Sequence, residues 1–301
     1  QFQAPKSPFH SALKIIEDVE VSEYRETFKV KLKLRQFSAK FLSSDLPVVK
    51  LLPKKEILKD SQDFTKKPVG TGSFVFKKKA ANEIHLQAHQ NHPFAVPKVK
   101  QLVFKIIRDD FTRFQKTLKG AIDIVQSALP PGKIARFEEE EDRFEVFKYP
   151  GLSMSYILVN FKKPFLKKHS VRKALAFGLN RKKLIEFKLY GLAQVATSLL
   201  PPQSPFFFDG LKPYKFSPQK SEQLLASVDM QMPSLTLKTS NNQTAIDNGK
   251  VIANQLQQVG FDIKVKSYEW GTFYGDIQKG PFDLATLRWL GATDPDLYRI
   301  A

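Results

Sequence analysis

Between Thr27 and Arg35 the chain reads TFKVKLKLR, with Phe28, Val30, Leu32 and Leu34 alternating with Lys29, Lys31 and Lys33. A period of two puts the apolar set on one face and the lysines on the other, which predicts a strand with one buried face. Residues 15–35 then form two strands that turn at SEYRE. Further strands are predicted at 73–78 and 83–88, paired as a hairpin across Lys79 to Asn82, then at 101–107 and briefly at 121–125. The period becomes helical after Asp110, which is read as the cap of a helix carrying Phe111, Phe114 and Leu118, with Gly120 as its stop. From Ser170 onward Val171, Leu175 and Leu179 recur at four-residue spacing, and Leu184 and Ile185 continue the apolar face. Ser170 and Asn180 are read as the caps of two consecutive helices. Ser217 and Pro218 open another helix, which carries Leu224 and Leu225. Leu235 and Leu237 mark a strand, Thr244 is read as capping a helix through Ile252, Leu256 and Val259, and Gly260 ends it before the alternating FDIKVKSYEW. Strand, helix, strand predicts parallel pairing with a right-handed crossover.

At 301 residues with 42% hydrophobic positions, the chain exceeds one core and is expected to form two or more lobes. Its 26 Phe and lack of Cys leave packing, not disulfides or thiolate-bound metal, to hold the fold. The formal charge of +18 raises nucleic acid and anionic membrane as partners. The lysines, however, recur in small groups interleaved with apolar residues along the whole chain, which reads as a solvated basic surface.

Candidate chemistry is sparse. Gly70-Thr71-Gly72 lacks the Lys-Ser/Thr of a phosphate loop and precedes a predicted strand where a helix is required. The run Glu138 to Asp142 is contiguous, whereas calcium loops space their oxygen ligands around a glycine turn. The five histidines include no HExxH, and no metal site is expected. There is no GxSxG elbow, no Cys nucleophile and no clear dinucleotide fingerprint. A basic polyanion-binding protein stays as the alternative from a different class; steep weakening with salt would mark it.

Four ordered blocks carry a resemblance. Asn160, Pro164, Phe165, Val171, Arg172, Ala174, Leu175, Arg181, Gly191, Pro201 and Pro202 form the first, with Asn180 at a position that is usually Asp. PVGTG with KGAIDI, then KFSPQKSEQLLASV, then VIANQLQQVGFDIKVKSYEW through Trp289 to Asp294-Pro295 supply the others. Their order resembles the extracellular solute-binding proteins of family 5, from peptide and nickel ABC transporters. Ser73-Phe74 stands where Pro-Tyr is usual, and Ser217 and Ser221 replace Asp and Ala.

The resemblance implies an α/β, periplasmic-binding-protein-like two-lobed fold of the large three-domain subclass, here incomplete. Residues 1–70 are expected in an outer domain, 71–160 in the first binding lobe and 161–301 in the second, as an internal fragment without signal or lipid-anchor segment. It implies a monomeric receptor, periplasmic or lipid-anchored outside the cytoplasmic membrane, that hands a solute to a membrane permease. Neither catalysis, a cofactor nor nucleic acid enters this reading. A peptide is the expected solute, with an oligosaccharide or metal chelate as alternatives. Peptide receptors of this family hold the ligand ammonium with an Asp three residues beyond the Trp; here that position is Ala292, and Asp294 is the nearest substitute. The expected ligand-binding residues are Trp270, Trp289, Arg288, Asp294, Gln126 and Ser127.

Overall fold

The computed structural model describes residues 10–24, 27–48, 52–59, 64, 66–94, 96–291 and 295. The chain divides into two compact units between Ile124 and Val125.

The first unit opens with α1 (His10–Leu13) and the antiparallel strands β1 (Ile16–Tyr24) and β2 (Thr27–Leu34). Val19 lies opposite Leu32 and Val21 opposite Val30, while Lys31–Glu20 and Lys33–Glu17 pair at 3.1 Å. The alternation predicted the strand, but burial stops partway along it. Leu32 and Leu34 pack against Leu13, Ile16 and Phe41, whereas Phe28 and Val30 are 70% and 58% exposed. A two-stranded hairpin buries a face only where another element crosses it, and among the described residues the crossing lies at its foot.

After α2 (Lys54–Lys59) come β3 (Phe74–Lys79), β4 (Glu83–Ala88) and β5 (Gln101–Lys105), antiparallel and in that order, with β3 and β4 forming the predicted hairpin. Helix α3 (Asp110–Leu118) is capped one residue earlier than expected: Asp109 Oδ1 accepts from the Thr112 amide at 2.6 Å, and Asp110 pairs with Arg113. Hydrogen bonds from Thr112 hold the Asp109 carboxyl below its ordinary pKa, so the cap's support is present above the unfolded value and fades as pH falls through the lowered one. Residues 121–125 do not form the expected strand. Gly120, at φ 72°, ends the helix, the Ala121 amide bonds the Lys116 carbonyl at 2.9 Å, and the Ala121 carbonyl accepts from Lys105 Nζ at 2.7 Å. The backbone polar groups of Ala121 are thus committed to the helix end and a strand lysine.

The second unit begins with the short α4 (Ile134–Glu138), where the acidic run is met by local cations: Arg136 with Glu139 and Glu140, Arg143 with Glu140, and Lys148 with Glu138. Its sheet runs β6–β9–β7–β8, built from β6 (Met154–Val159), β7 (Leu235–Ser240), β8 (Ile263–Tyr268) and β9 (Leu284–Trp289). β7 is parallel to β8 and to β9, and β6 runs antiparallel to β9 along its whole length. Residues 154–159, expected with the preceding lobe, therefore share a sheet with residues 235–289.

Helices α5 (Pro164–Lys167), α6 (His169–Gly178), α7 (Arg181–Leu189) and α8 (Pro218–Ala226) precede β7; α9 (Gln243–Gln258) links β7 to β8, and α10 (Trp270–Lys279) links β8 to β9. One core joins Phe165, Leu166, Val171, Leu175 and Leu256 to Leu237, Ile263 and Leu284 of the sheet. A second gathers Phe273, Phe282 and Ala285 with Leu158 and Leu287. Alternation along β9 sends Leu284 to one core and Ala285 to the other, so α9 and α10 cover opposite faces.

In the second unit two expected caps hold and two do not. Asn180 accepts from the Lys183 amide at 3.0 Å and Ser217 from the Lys220 amide at 3.4 Å. Ser170 is not a cap: α6 starts at His169, because α5 and α6 share the extended Lys168, and Arg172 Nη1 ties that corner by donating to the Leu166 and Lys167 carbonyls. Asn242, not Thr244, caps α9, accepting from the Ala245 amide. Gly260 ends α9 at φ 96°, with Gly260 and Phe261 amides bonding the Gln257 and Leu256 carbonyls in a Schellman closure. Ser221, unusual for its position, is fully buried and donates to the Ala174 carbonyl at 2.8 Å, joining α8 to α6.

Asn160 ties the strand-to-helix corner together. It is buried, its Nδ2 donates to the Gly280 and Phe282 carbonyls at 3.0 and 2.7 Å, and its Oδ1 accepts from the Lys162 amide at 3.0 Å. Asn160→Ala leaves these groups without their partner and is expected to cost about 1–3 kcal/mol. Both tryptophans lie in the second unit, so a denaturant midpoint read by their emission measures it; an unchanged midpoint would show that water replaces the amide.

Candidate functional site at the carboxyl edge of the second sheet

The register brings distant residues to one edge. Ser240 at the end of β7 is level with Tyr268 at the end of β8, and Trp289 at the end of β9 is paired with Met154 at the start of β6. From β7 the chain leaves through Asn242 into α9 on one face, and from β8 through Glu269 into α10 on the other. Neighbouring parallel strands whose connections depart to opposite faces leave a crevice beyond their carboxyl ends, where open α/β sheets bind ligands. Here Ser240 to Asn242 and Tyr268 to Trp270 border it.

Trp270 opens α10 because Glu269 turns back to accept from the amides of Gly271, at 2.7 Å, and Thr272. That capping carboxylate was not anticipated from the sequence. Trp270 is 55% exposed and stacks on Tyr274, ring centroids 5.7 Å apart and 13° between planes, while Phe273 points into the core. Tyr274 is likewise absent from the expected set, although its four-residue spacing from Trp270 was the available signal. The stack therefore presents aromatic surface to solvent rather than filling a core.

The other expected residues are placed as follows. Trp289 is half-buried and closes β9, and exposed Arg288 lies beside it, paired in register with Ser155. Gln126 and Ser127 are exposed at the beginning of the second unit, with Ser127 in the left-handed region at φ 52°. Asp294, with Ala292, lies outside the described residues.

Beneath the edge, Lys238 of β7 extends under the Tyr268 ring, 4.9 Å from its centroid, and pairs with Asp276 of α10 at 2.6 Å. This nearly buried ion pair fixes the aromatic helix to the central strand. Among the described residues the hydroxyls of Thr239 and Thr286 are buried without a hydrogen-bond partner, each one residue past the last β7–β9 pair.

Similarity to known proteins agrees with this architecture. The chain is 25% identical to the dipeptide-binding protein of Escherichia coli, covering 76% of this chain and 44% of that one. It is 27% identical to the nickel-binding periplasmic protein of the same bacterium, covering 77% and 48%. It thus spans about half the length of these relatives. Among solved structures, NikZ from Campylobacter jejuni in complex with Ni(L-His) superposes at a TM-score of 0.82 with 22% identity, over 99% of this chain and 62% of that one. DppA from Helicobacter pylori in complex with the peptide STSA gives 0.80 and 24%, over 99% and 60%. The model of the bacterial extracellular solute-binding proteins, family 5 Middle, matches residues 3–300, and the chain belongs to that family.

Proposed function

We propose that the protein is the solute receptor of an ABC importer, that it holds its ligand over the carboxyl edge of the second unit's sheet, and that it delivers the ligand unaltered to a membrane permease. One observation carries the site: the exposed Trp270–Tyr274 stack stands beside the crevice between β7 and β8. Stacked aromatics offer a large rigid contact at low entropic cost, suited to side chains or planar groups of a small solute. Trp289 and Arg288 border the same edge, and Gln126, Ser127 and Asp294 complete the proposed ligand set. A peptide is the proposed solute, because the relatives include a dipeptide-binding protein and the similar structures include one in complex with a peptide. A metal chelate is the second reading, favoured by the nickel-binding relative and by Ala292 standing where peptide receptors of the resembled pattern carry a carboxylate. The proposed receptor is monomeric and works outside the cytoplasmic membrane, periplasmic or lipid-anchored.

The test is tryptophan emission, in the protein expressed from its full reading frame, titrated with free and N-acetylated di- and tripeptides and with nickel–histidine. Trp270→Ala is expected to weaken the ligand that binds by about tenfold to a hundredfold, the loss of one aromatic anchor. Unaltered affinity in Trp270→Ala removes the stack from the site. Equal binding of free and acetylated peptides removes the ammonium anchor, and silence toward every solute counts against the receptor reading.

A further inference from the structure

Residues 161–190 carry ten lysines and arginines against the single Glu186, so about a tenth of the chain holds half of the +18 net charge. The lysine pairs of this stretch sit on consecutive helices and on the turn that precedes them. Helices α5, α6 and α7 turn Phe165, Leu166, Val171, Leu175 and Leu184 toward one core, which leaves their exposed cations on the sides turned away from it. Lys162, Lys163, Lys167, Lys168, Lys182 and Lys183 are exposed. Of the ten cations, Lys163 alone has an ion pair among the described residues, with Asp283 at 3.0 Å.

The kind of cation discriminates between partners. Both arginines are engaged within the chain: Arg172 on the Leu166 and Lys167 carbonyls and over the Phe161 ring, and Arg181 on the Tyr214 carbonyl, with burial lowering its pKa from the ordinary guanidinium value. The exposed cations of this stretch are therefore all lysines, flexible point charges rather than guanidinium forks. Between them Phe161, Phe187 and Tyr190 are 56%, 64% and 63% exposed. Lysines interleaved with exposed aromatic rings match the interface of an anionic bilayer, where the charges meet headgroups and the rings enter the boundary.

We infer that the outer side of α5–α7 is a docking surface for an anionic phospholipid membrane. No helix among the described residues is long and apolar enough to cross a membrane, so the contact is peripheral. A receptor so held keeps its solute near a membrane-embedded permease. The inference uses the extracytoplasmic setting of the proposed function but none of its ligand residues, so the two readings fail in separate experiments.

Flotation of the protein with phosphatidylcholine vesicles, with and without phosphatidylglycerol, tests it. Wild type is expected to bind only the phosphatidylglycerol vesicles, and more weakly as salt rises. Replacing Lys167, Lys168, Lys182 and Lys183 by glutamine should weaken binding between about tenfold and a thousandfold, since each basic residue near such a surface contributes measurably. A control with the same charge loss elsewhere, Lys77, Lys78, Lys79 and Lys98 to glutamine, should change it less than about threefold, and Phe187→Ser should weaken it without altering net charge. Equal loss in patch and control variants, no preference for phosphatidylglycerol, or binding of a DNA oligonucleotide or polyglutamate as tight as that of the vesicles would overturn the inference.

Discussion

Asp276→Ala is expected to destabilise the second unit by about 3–5 kcal/mol, because it strands Lys238 in the interior with its charge uncompensated. The side chains of Lys238 and Asp276 are 10% and 26% exposed, so solvent cannot replace the lost carboxylate at the ammonium. Two further features make the pair costly to break. Lys238 lies on β7, which is hydrogen-bonded on both sides, and its ammonium is already committed beneath the Tyr268 ring. The double replacement Lys238→Met/Asp276→Leu should recover most of the loss, since an apolar pair removes both desolvated charges together. Denaturation followed by tryptophan emission checks both. A loss under about 1 kcal/mol in Asp276→Ala would mean that water reaches Lys238. Because Asp276 anchors the helix that opens with Trp270, the same variant should also weaken solute binding under conditions where the unit remains folded.

Leu237→Ala should cost a similar amount, about 3–5 kcal/mol, for a different reason. Leu237 is fully buried in the central strand and belongs to the core that includes Leu256 and Leu284, so truncation opens a cavity between two layers that cannot close over it. The informative comparison is Phe28→Ala. Phe28 is the larger side chain and follows a clearer alternating pattern, yet at 70% exposure its removal is expected to change stability by less than about 0.5 kcal/mol. The first unit contains no tryptophan, so calorimetry reports this variant. A large loss at Phe28 would show that a further element covers the hairpin.

These two leucine and phenylalanine positions show how far the sequence reaches. Alternation identified β2 correctly as a strand, because side chains leave a strand on alternate sides whatever surrounds it. It could not say whether the apolar side meets another element, and among the described residues it does not along most of the hairpin. Local punctuation was similarly legible to within a residue or two. Gly120, Gly260 and Asn180 act where their chemistry places them, while the caps assigned to Ser170, Asp110 and Thr244 fall to a chain corner, to Asp109 and to Asn242. The failed strand at 121–125 has the same origin: its pattern was suitable, but a helix end and Lys105 claimed the polar groups of Ala121.

Sequence by itself determined the family and the parallel β7–β8 pairing, because motif order and the strand–helix–strand pattern are properties of the chain. It also singled out Trp270 and Trp289. Only the tertiary structure decided that β6 pairs with β9 across more than a hundred residues of chain, which brings Met154 and Trp289 to the edge that β7 and β8 share. The burial of Lys238 against Asp276 and the stacking of Tyr274 on Trp270 were likewise decided there. Each depends on which faces of which elements are covered, and that is set by contacts between segments whose spacing along the chain carries no periodic signal.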